Sequence, residues 1–195
     1  IEVLKGPQGT VFGKNTSAGV INVVTRRPSY TQSAEGEVTV GNYGAIGVSG
    51  SYNDSLSDNS AFSIYAAKRK RDGWMDVVTG AGPRTEDKDY DQNFRTFRGK
   101  LLIAPTDNVE IVVSADSTKR DENCCSAVTT VRGLTADIID RLAPDEGVAR
   151  VANPEARQAW SNRGNEQFIK DRGLSAEINW DSPWFGDATL TSITA

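Results

Sequence analysis

The sequence predicts an all-β fold: about seven strands of a larger transmembrane antiparallel β-barrel, preceded by the end of a separate glycine-rich unit. Three observations point there. Strand-length segments alternate apolar and polar residues with period two, so each has one dry and one wet face. After the first hairpin, short turns alternate with long connections, the plan of a membrane-spanning barrel rather than of a soluble sandwich. The bulk is polar, with 37% hydrophobic residues and a mean hydropathy of -0.45. That excludes a helical membrane bundle. A barrel strand needs only about 9–11 residues, alternate ones apolar.

The first 28 residues stand apart. They are rich in glycine (Gly6, Gly9, Gly13, Gly19) and end in a strand-like run at 20–25. Arg26-Arg27-Pro28 stops that run, because proline donates no ladder hydrogen bond. Residues 29–34 are a polar link, and the division falls into 1–30 and 31–195. Two thin strands follow at about 35–41 and 45–53, with Gly41, Gly44, Gly47 and Gly50 at spacing three. From 61 to 71, Phe62, Ile64 and Ala66 share a face with Lys68 and Lys70, so charge begins where the strand leaves the apolar zone. From 94 to 104, Phe97, Gly99, Leu101 and Ile103 oppose Thr96, Arg98, Lys100 and Leu102. From 109 to 116, Val109, Ile111, Val113 and Ala115 oppose Glu110, Val112, Ser114 and Asp116. Between 174 and 181, Leu174, Ala176, Ile178 and Trp180 oppose Ser175, Glu177, Asn179 and Asp181. A last strand starts near 188.

Connections at 53–60, 105–108 and 181–187 are short and carry turn residues; those at 71–90 and 121–170 are long. If the first strand rises from the periplasmic side, parity puts both long connections outside and all three short ones inside. Within the longest, Leu134, Ile138, Ile139 and Leu142 form a helix-like stripe, so a short helix is expected at about 135–142, ending near Ala143-Pro144. Its reading is a lid over a ligand or a packing element of the loop.

Residues 1–25 carry Glu2-Val3-Leu4-Lys5-Gly6-Pro7-Gln8-Gly9, then Phe12-Gly13, then Gly19-Val20-Ile21-Asn22-Val23. At this spacing the segment resembles the closing stretch of the plug of TonB-dependent outer-membrane receptors. The motif residues are Gly6, Pro7, Gly9, Gly13, Gly19, Ile21 and Asn22. Looser similarities lie at Lys70-Arg71-Asp72-Gly73-Trp74, Arg98-Gly99-Lys100-Leu101-Leu102 and Leu190-Thr191-Ser192-Ile193-Thr194. The resemblance implies a multi-pass barrel of about 22 strands in a Gram-negative outer membrane. It further implies a small-molecule ligand such as a ferric siderophore or a sugar, and the TonB protein as energy-transducing partner through a contact box upstream of Ile1. Both ends of the chain are then expected to be cuts. The rival from another class is a secreted or surface β-sandwich adhesin that binds glycans.

Other chemistry is sparse, and no cofactor or enzymatic activity is expected. Gly9 to Lys14 falls short of a phosphate-binding loop, with glycines four apart and Asn15 after the lysine. There is no histidine, which removes the usual triad base, and the net charge of -4 leaves no nucleic-acid footprint. Cys124 and Cys125 are adjacent; a disulfide between them, pairing elsewhere and free thiols all stay open. Lys68-Arg69-Lys70-Arg71 reads as a charged rim or as a contact for anionic lipopolysaccharide or ligand. Trp74, Trp180 and Trp184 suit interfacial girdles or ordinary packing.

Overall fold

The computed structural model describes residues 1–80, 82–128, 130–142, 154–184, 186 and 188–195. The expected helix end near Ala143-Pro144 lies outside them. In chain order the elements are β1 (Glu2–Lys5), α1 (Gly9–Phe12), β2 (Gly19–Asn22), β3 (Ser33–Gly41), β4 (Ala45–Ser57), β5 (Ser60–Arg71), β6 (Met75–Val78) and β7 (Lys88–Asp89). Then come β8 (Gln92–Thr106), β9 (Val109–Asn123), α2 (Leu134–Leu142), β10 (Gln158–Trp160), β11 (Glu166–Ser182) and β12 (Ala188–Thr194).

Seven strands form one antiparallel sheet in the order β12-β11-β9-β8-β5-β4-β3. Long strands that are neighbours in sequence are neighbours in space, an up-and-down meander. Among the described residues no second layer covers the apolar face of this sheet, whereas the adhesin reading required one. Register puts the period-two faces in phase. Ile64 lies opposite Gly99 and Phe62 opposite Leu101; Leu101 pairs with Val113, and Val113 with Ala176. This face is apolar and open: Val38, Val48, Ile64, Phe97, Leu174 and Ile178 are all exposed. Exposed apolar rows of this extent suit hydrocarbon, not water. The opposite face carries Glu35, Asn53, Arg98, Lys100, Glu110 and Glu177.

Several strands outrun the alternation, β4 among them, and three become the longest. β8 and β9 each have 15 residues and β11 has 17. Their added ends are mostly polar, with Phe168 and Ile169 on opposite faces as isolated apolar residues, so periodicity does not reveal them; backbone pairing carries the ladder on regardless, Glu166 meeting Asn123. The second long connection is correspondingly shorter, 124–165 instead of 121–170, while the first, 72–91, keeps its expected length.

Nor are those connections structureless. β10 runs parallel to β6 and β6 antiparallel to β7, so the two loops share a small sheet. Met75, Val77 and Ala159 are its core, with Trp74, Tyr90 and Val128 packed around them. Trp74 stacks on Tyr90 at 4.9 Å, ordinary packing instead of a girdle position. Trp180 and Trp184 meet edge to face at 5.9 Å beside the last turn. Helix α2 forms, and Leu134, Ile138 and Leu142 of its stripe are exposed.

A buried ion pair holds the two loops together. Arg84 and Asp89 both have 0% side-chain exposure and meet at 3.1 Å. The Arg84 guanidinium also donates to the carbonyls of Glu86, Lys88 and Arg163, and the Ser126 N–H donates to Asp89 at 2.8 Å. Burial works against the Asp89 carboxylate, but the Ser126 hydrogen bonds and Arg84 outweigh it and hold its pKa below the ordinary 3.8. A depressed pKa stabilises above the ordinary value, and that stabilisation is lost as pH falls through the folded value. The loop unit is therefore expected to hold at neutral pH and to open below about pH 4, read by amide exchange of residues 75–78 and 158–160 in the intact protein. Arg84→Ala should open it at neutral pH by about 3–5 kcal/mol, because it strands a buried carboxylate; unchanged exchange would contradict this assignment.

Candidate functional site

The polar face of the sheet is where the N-terminal segment lies. Its base is the β1–β2 hairpin, in which Glu2 pairs with Asn22 and Lys5 with Gly19. Asn22 Nδ2 donates to the Glu2 carboxylate at 2.9 Å, so the motif asparagine ties its own hairpin. Gly19 has a φ of 151°, and a Cβ there would stand 2.6 Å from the Leu4 carbonyl oxygen, so no larger residue fits. Gly6 and Gly13 take φ values of 83° and 85° on either side of α1, while Gly9 begins that single helical turn. Pro7 sits in the bend before it, and Ile21 is exposed on β2.

From the hairpin, residues 23–32 cross the polar face and attach at four places. Arg27 bridges Glu110 of β9 and Glu177 of β11 with one guanidinium. The Lys100 ammonium of β8 donates to the carbonyls of Thr25 and Arg26 at 3.2 and 3.1 Å. Arg26 reaches Glu35 of β3 at 2.6 Å. Asn53 of β4 accepts from the Ser29 N–H at 2.9 Å and donates to the Ser29 and Thr31 carbonyls at 2.9 and 2.7 Å. A cavity of about 470 Å³ lies among these groups, bordered by Arg26, Arg27, Glu35, Asn53, Arg98 and Lys100.

The strength of this attachment follows from its exposure. Arg27, Glu110 and Glu177 keep 46%, 39% and 30% of their side-chain surface open. Ion pairs that wet are each worth roughly 0.2–1 kcal/mol. Several such contacts fix a position without locking it. Their removal costs little compared with the buried loop pair.

Sequence reading reached the hairpin and missed the attachment. Arg26-Arg27-Pro28 appears there only as a strand stop, and Glu110 and Glu177 only as members of polar faces. One signal was available: Arg98, Lys100 and Glu177 lie within strands on polar faces, with Glu110 near the start of another. Such charges are tolerable at membrane depth only where they line a wet lumen or meet a partner. The vicinal cysteines are elsewhere, at the end of β9. They are disulfide-bonded to each other, with Cys125 at a φ of 82°.

The chain matches no family model. It is 29% identical over 76 residues to the ferrioxamine receptor of Yersinia enterocolitica, covering 39% of this chain and 11% of that protein. Over 31 residues it is 52% identical to the pesticin receptor of Yersinia pestis, covering 16% of this chain and 5% of the receptor. These matches thus span about a tenth or less of the curated relatives' length. Among solved structures, the ferric yersiniabactin uptake receptor FyuA of Yersinia pestis superposes with a TM-score of 0.64 at 19% identity, over 93% of this chain and 26% of the other. The outer-membrane ferripyoverdine receptor of Pseudomonas aeruginosa, bound to ferripyoverdine, gives 0.63 at 17% identity, over 92% and 21%. At such identities the likeness establishes the fold alone, that of a segment of antiparallel barrel wall.

Arg27→Ala in the intact protein is expected to speed amide exchange at residues 23–32 while shifting overall stability by no more than about 1 kcal/mol per lost pair. Exchange confined to its wild-type rate would mean the segment is held by other contacts.

Proposed function

We propose that this segment of a TonB-dependent outer-membrane receptor serves the energised uptake of a scarce nutrient of the ferric-siderophore class. In this reading residues 1–30 are the end of the plug and residues 31–195 the first strands of the wall. The observation that carries it is the weak, wet attachment of the N-terminal segment to the polar face through Arg27, Lys100 and Asn53. A barrel of the implied size would be an open channel without such an occupant. An occupant that must later give way is best held by contacts of roughly 0.2–1 kcal/mol each.

The roles follow from placement. The joined outer loops, with Trp74 and Tyr90 at their base, stand at the entrance and meet the ligand first. The TonB protein pulls on a contact box outside this segment. Strain on the plug then reaches the Arg27 bridge, which exchanges Glu110 and Glu177 for water. A siderophore is favoured over a sugar because relatives carry the names of ferrioxamine and ferric yersiniabactin receptors.

Uptake of labelled ferric siderophores and of labelled oligosaccharides by a deletion strain, with and without the cloned receptor, tests the ligand class. Siderophore uptake that needs both receptor and TonB is expected; oligosaccharide uptake alone would redirect the proposal. Pairing Ser29→Cys with Asn53→Cys, whose short side chains meet at 2.9 Å, tethers the plug end to the wall. Uptake should fall under oxidising conditions and return with reductant. Undiminished uptake by the oxidised tether would show that this end of the plug stays in place during transport.

A further inference from the structure

The lipid-side face of the sheet carries a row of cations that neither the plug nor the ligand reading uses. Register sets Lys68 opposite Arg95, Arg95 opposite Lys119, and Lys119 opposite Lys170. Four positive residues therefore stand side by side across β5, β8, β9 and β11, at one height, on the face of Ile64, Leu101, Val113 and Leu174. Strands lie about 4.8 Å apart, so the row is roughly 14 Å long. Like charges directly opposite one another destabilise a sheet unless an anion answers them. Among the described residues, none of the four forms an ion pair. Lys119 and Lys170 lie over the Phe168 ring at 4.8 and 5.4 Å. Lys68, Arg95 and Lys119 share a shallow cleft of about 200 Å³ with Asn93 and a single carboxylate, Asp121.

Height identifies the surroundings. Trp180, paired edge to face with Trp184, marks the turn end of β11. From Lys170 to Trp180 the strand rises roughly 34 Å, or about 26 Å of membrane height at a 40° tilt. That is the height of a barrel's apolar band, about 25 Å. The row thus lies at the outer edge of the hydrocarbon, where lipid headgroups are. Lys70 stands one step above it and Arg172 one step below, both on the same face and both positive.

We propose that this row is a binding site for the phosphate groups of the anionic glycolipid of the outer leaflet, held against the barrel wall by Lys68, Arg95, Lys119 and Lys170. The site rests on the membrane placement of the strands and is independent of which nutrient is carried.

The test uses the full-length receptor, purified in detergent, and measures phosphorylated glycolipid that remains bound, by mass spectrometry and by thermal stabilisation on adding purified lipopolysaccharide. The four-fold variant Lys68→Gln, Arg95→Gln, Lys119→Gln, Lys170→Gln should retain at least about tenfold less glycolipid. The inner-face pair Arg69→Gln, Arg120→Gln, at almost the same height, should retain it as wild type does. Heat-modifiable migration reports whether each variant folds, and Arg95→Gln alone, expected to lose a smaller share, serves if the four-fold variant does not. Equal retention by wild type and the outer-face variants would overturn the proposal. So would stabilisation by inorganic phosphate matching that by glycolipid, or loss only in the inner-face pair. Nutrient uptake by the outer-face variant should persist, which separates this site from the transport reading.

Discussion

Amides in hydrocarbon have no water to bond, so each must find its partner within the protein. The seven-stranded ladder meets that demand strand by strand, and everything else is arranged around its register. Once β5, β8, β9 and β11 are in phase, the period-two alternation of each fuses into two continuous faces. One is apolar enough for lipid. The other gathers Arg98, Lys100, Glu110 and Glu177, and the polar N-terminal segment settles on it. A slip of one residue in any strand would exchange the faces and put those charges into hydrocarbon.

Two kinds of charge pairing coexist on this scaffold and differ in what they permit. Arg84 and Asp89 are fully enclosed within one loop, and their hydrogen bonds to Arg163 and Ser126 fasten it to the other. Removing one partner leaves an uncompensated buried charge, so the pair behaves as a fixed joint. Arg27 with Glu110 and Glu177 is half open to solvent, and water readily replaces either side. The rigid joint is among the long loops and the yielding one between the N-terminal segment and the sheet.

What the sequence disclosed depended on whether burial imposed a pattern. The strands around Phe62, Leu101, Ile111 and Ile178 were legible because a dry face opposite a wet one forces alternation. Their outer extensions were not, since Lys119–Asn123 and Glu166–Lys170 pair through backbone atoms whatever their side chains. The same holds for the small sheet of Met75–Val78 and Gln158–Trp160: parallel pairing between distant loops leaves no local mark. Of the candidate site, the glycines showed themselves because Gly19 admits no side chain, whereas Arg27 looked like punctuation before a proline. Its two carboxylates lie 83 and 150 residues away, and only the folded register brings them together.

The pairing of β6 with β10 also shapes how other molecules perceive the exposed end of the protein. Asp76 and Val78 of one loop and Gln158 and Trp160 of the other, the members of this small sheet that are not buried, form one patch, though some eighty positions separate them along the chain. An antibody raised on a linear peptide from either loop would meet half of that patch, in the wrong conformation. An epitope that included Asp76 and Gln158 would thus be conformational, because only the parallel pairing of the two loops sets them side by side.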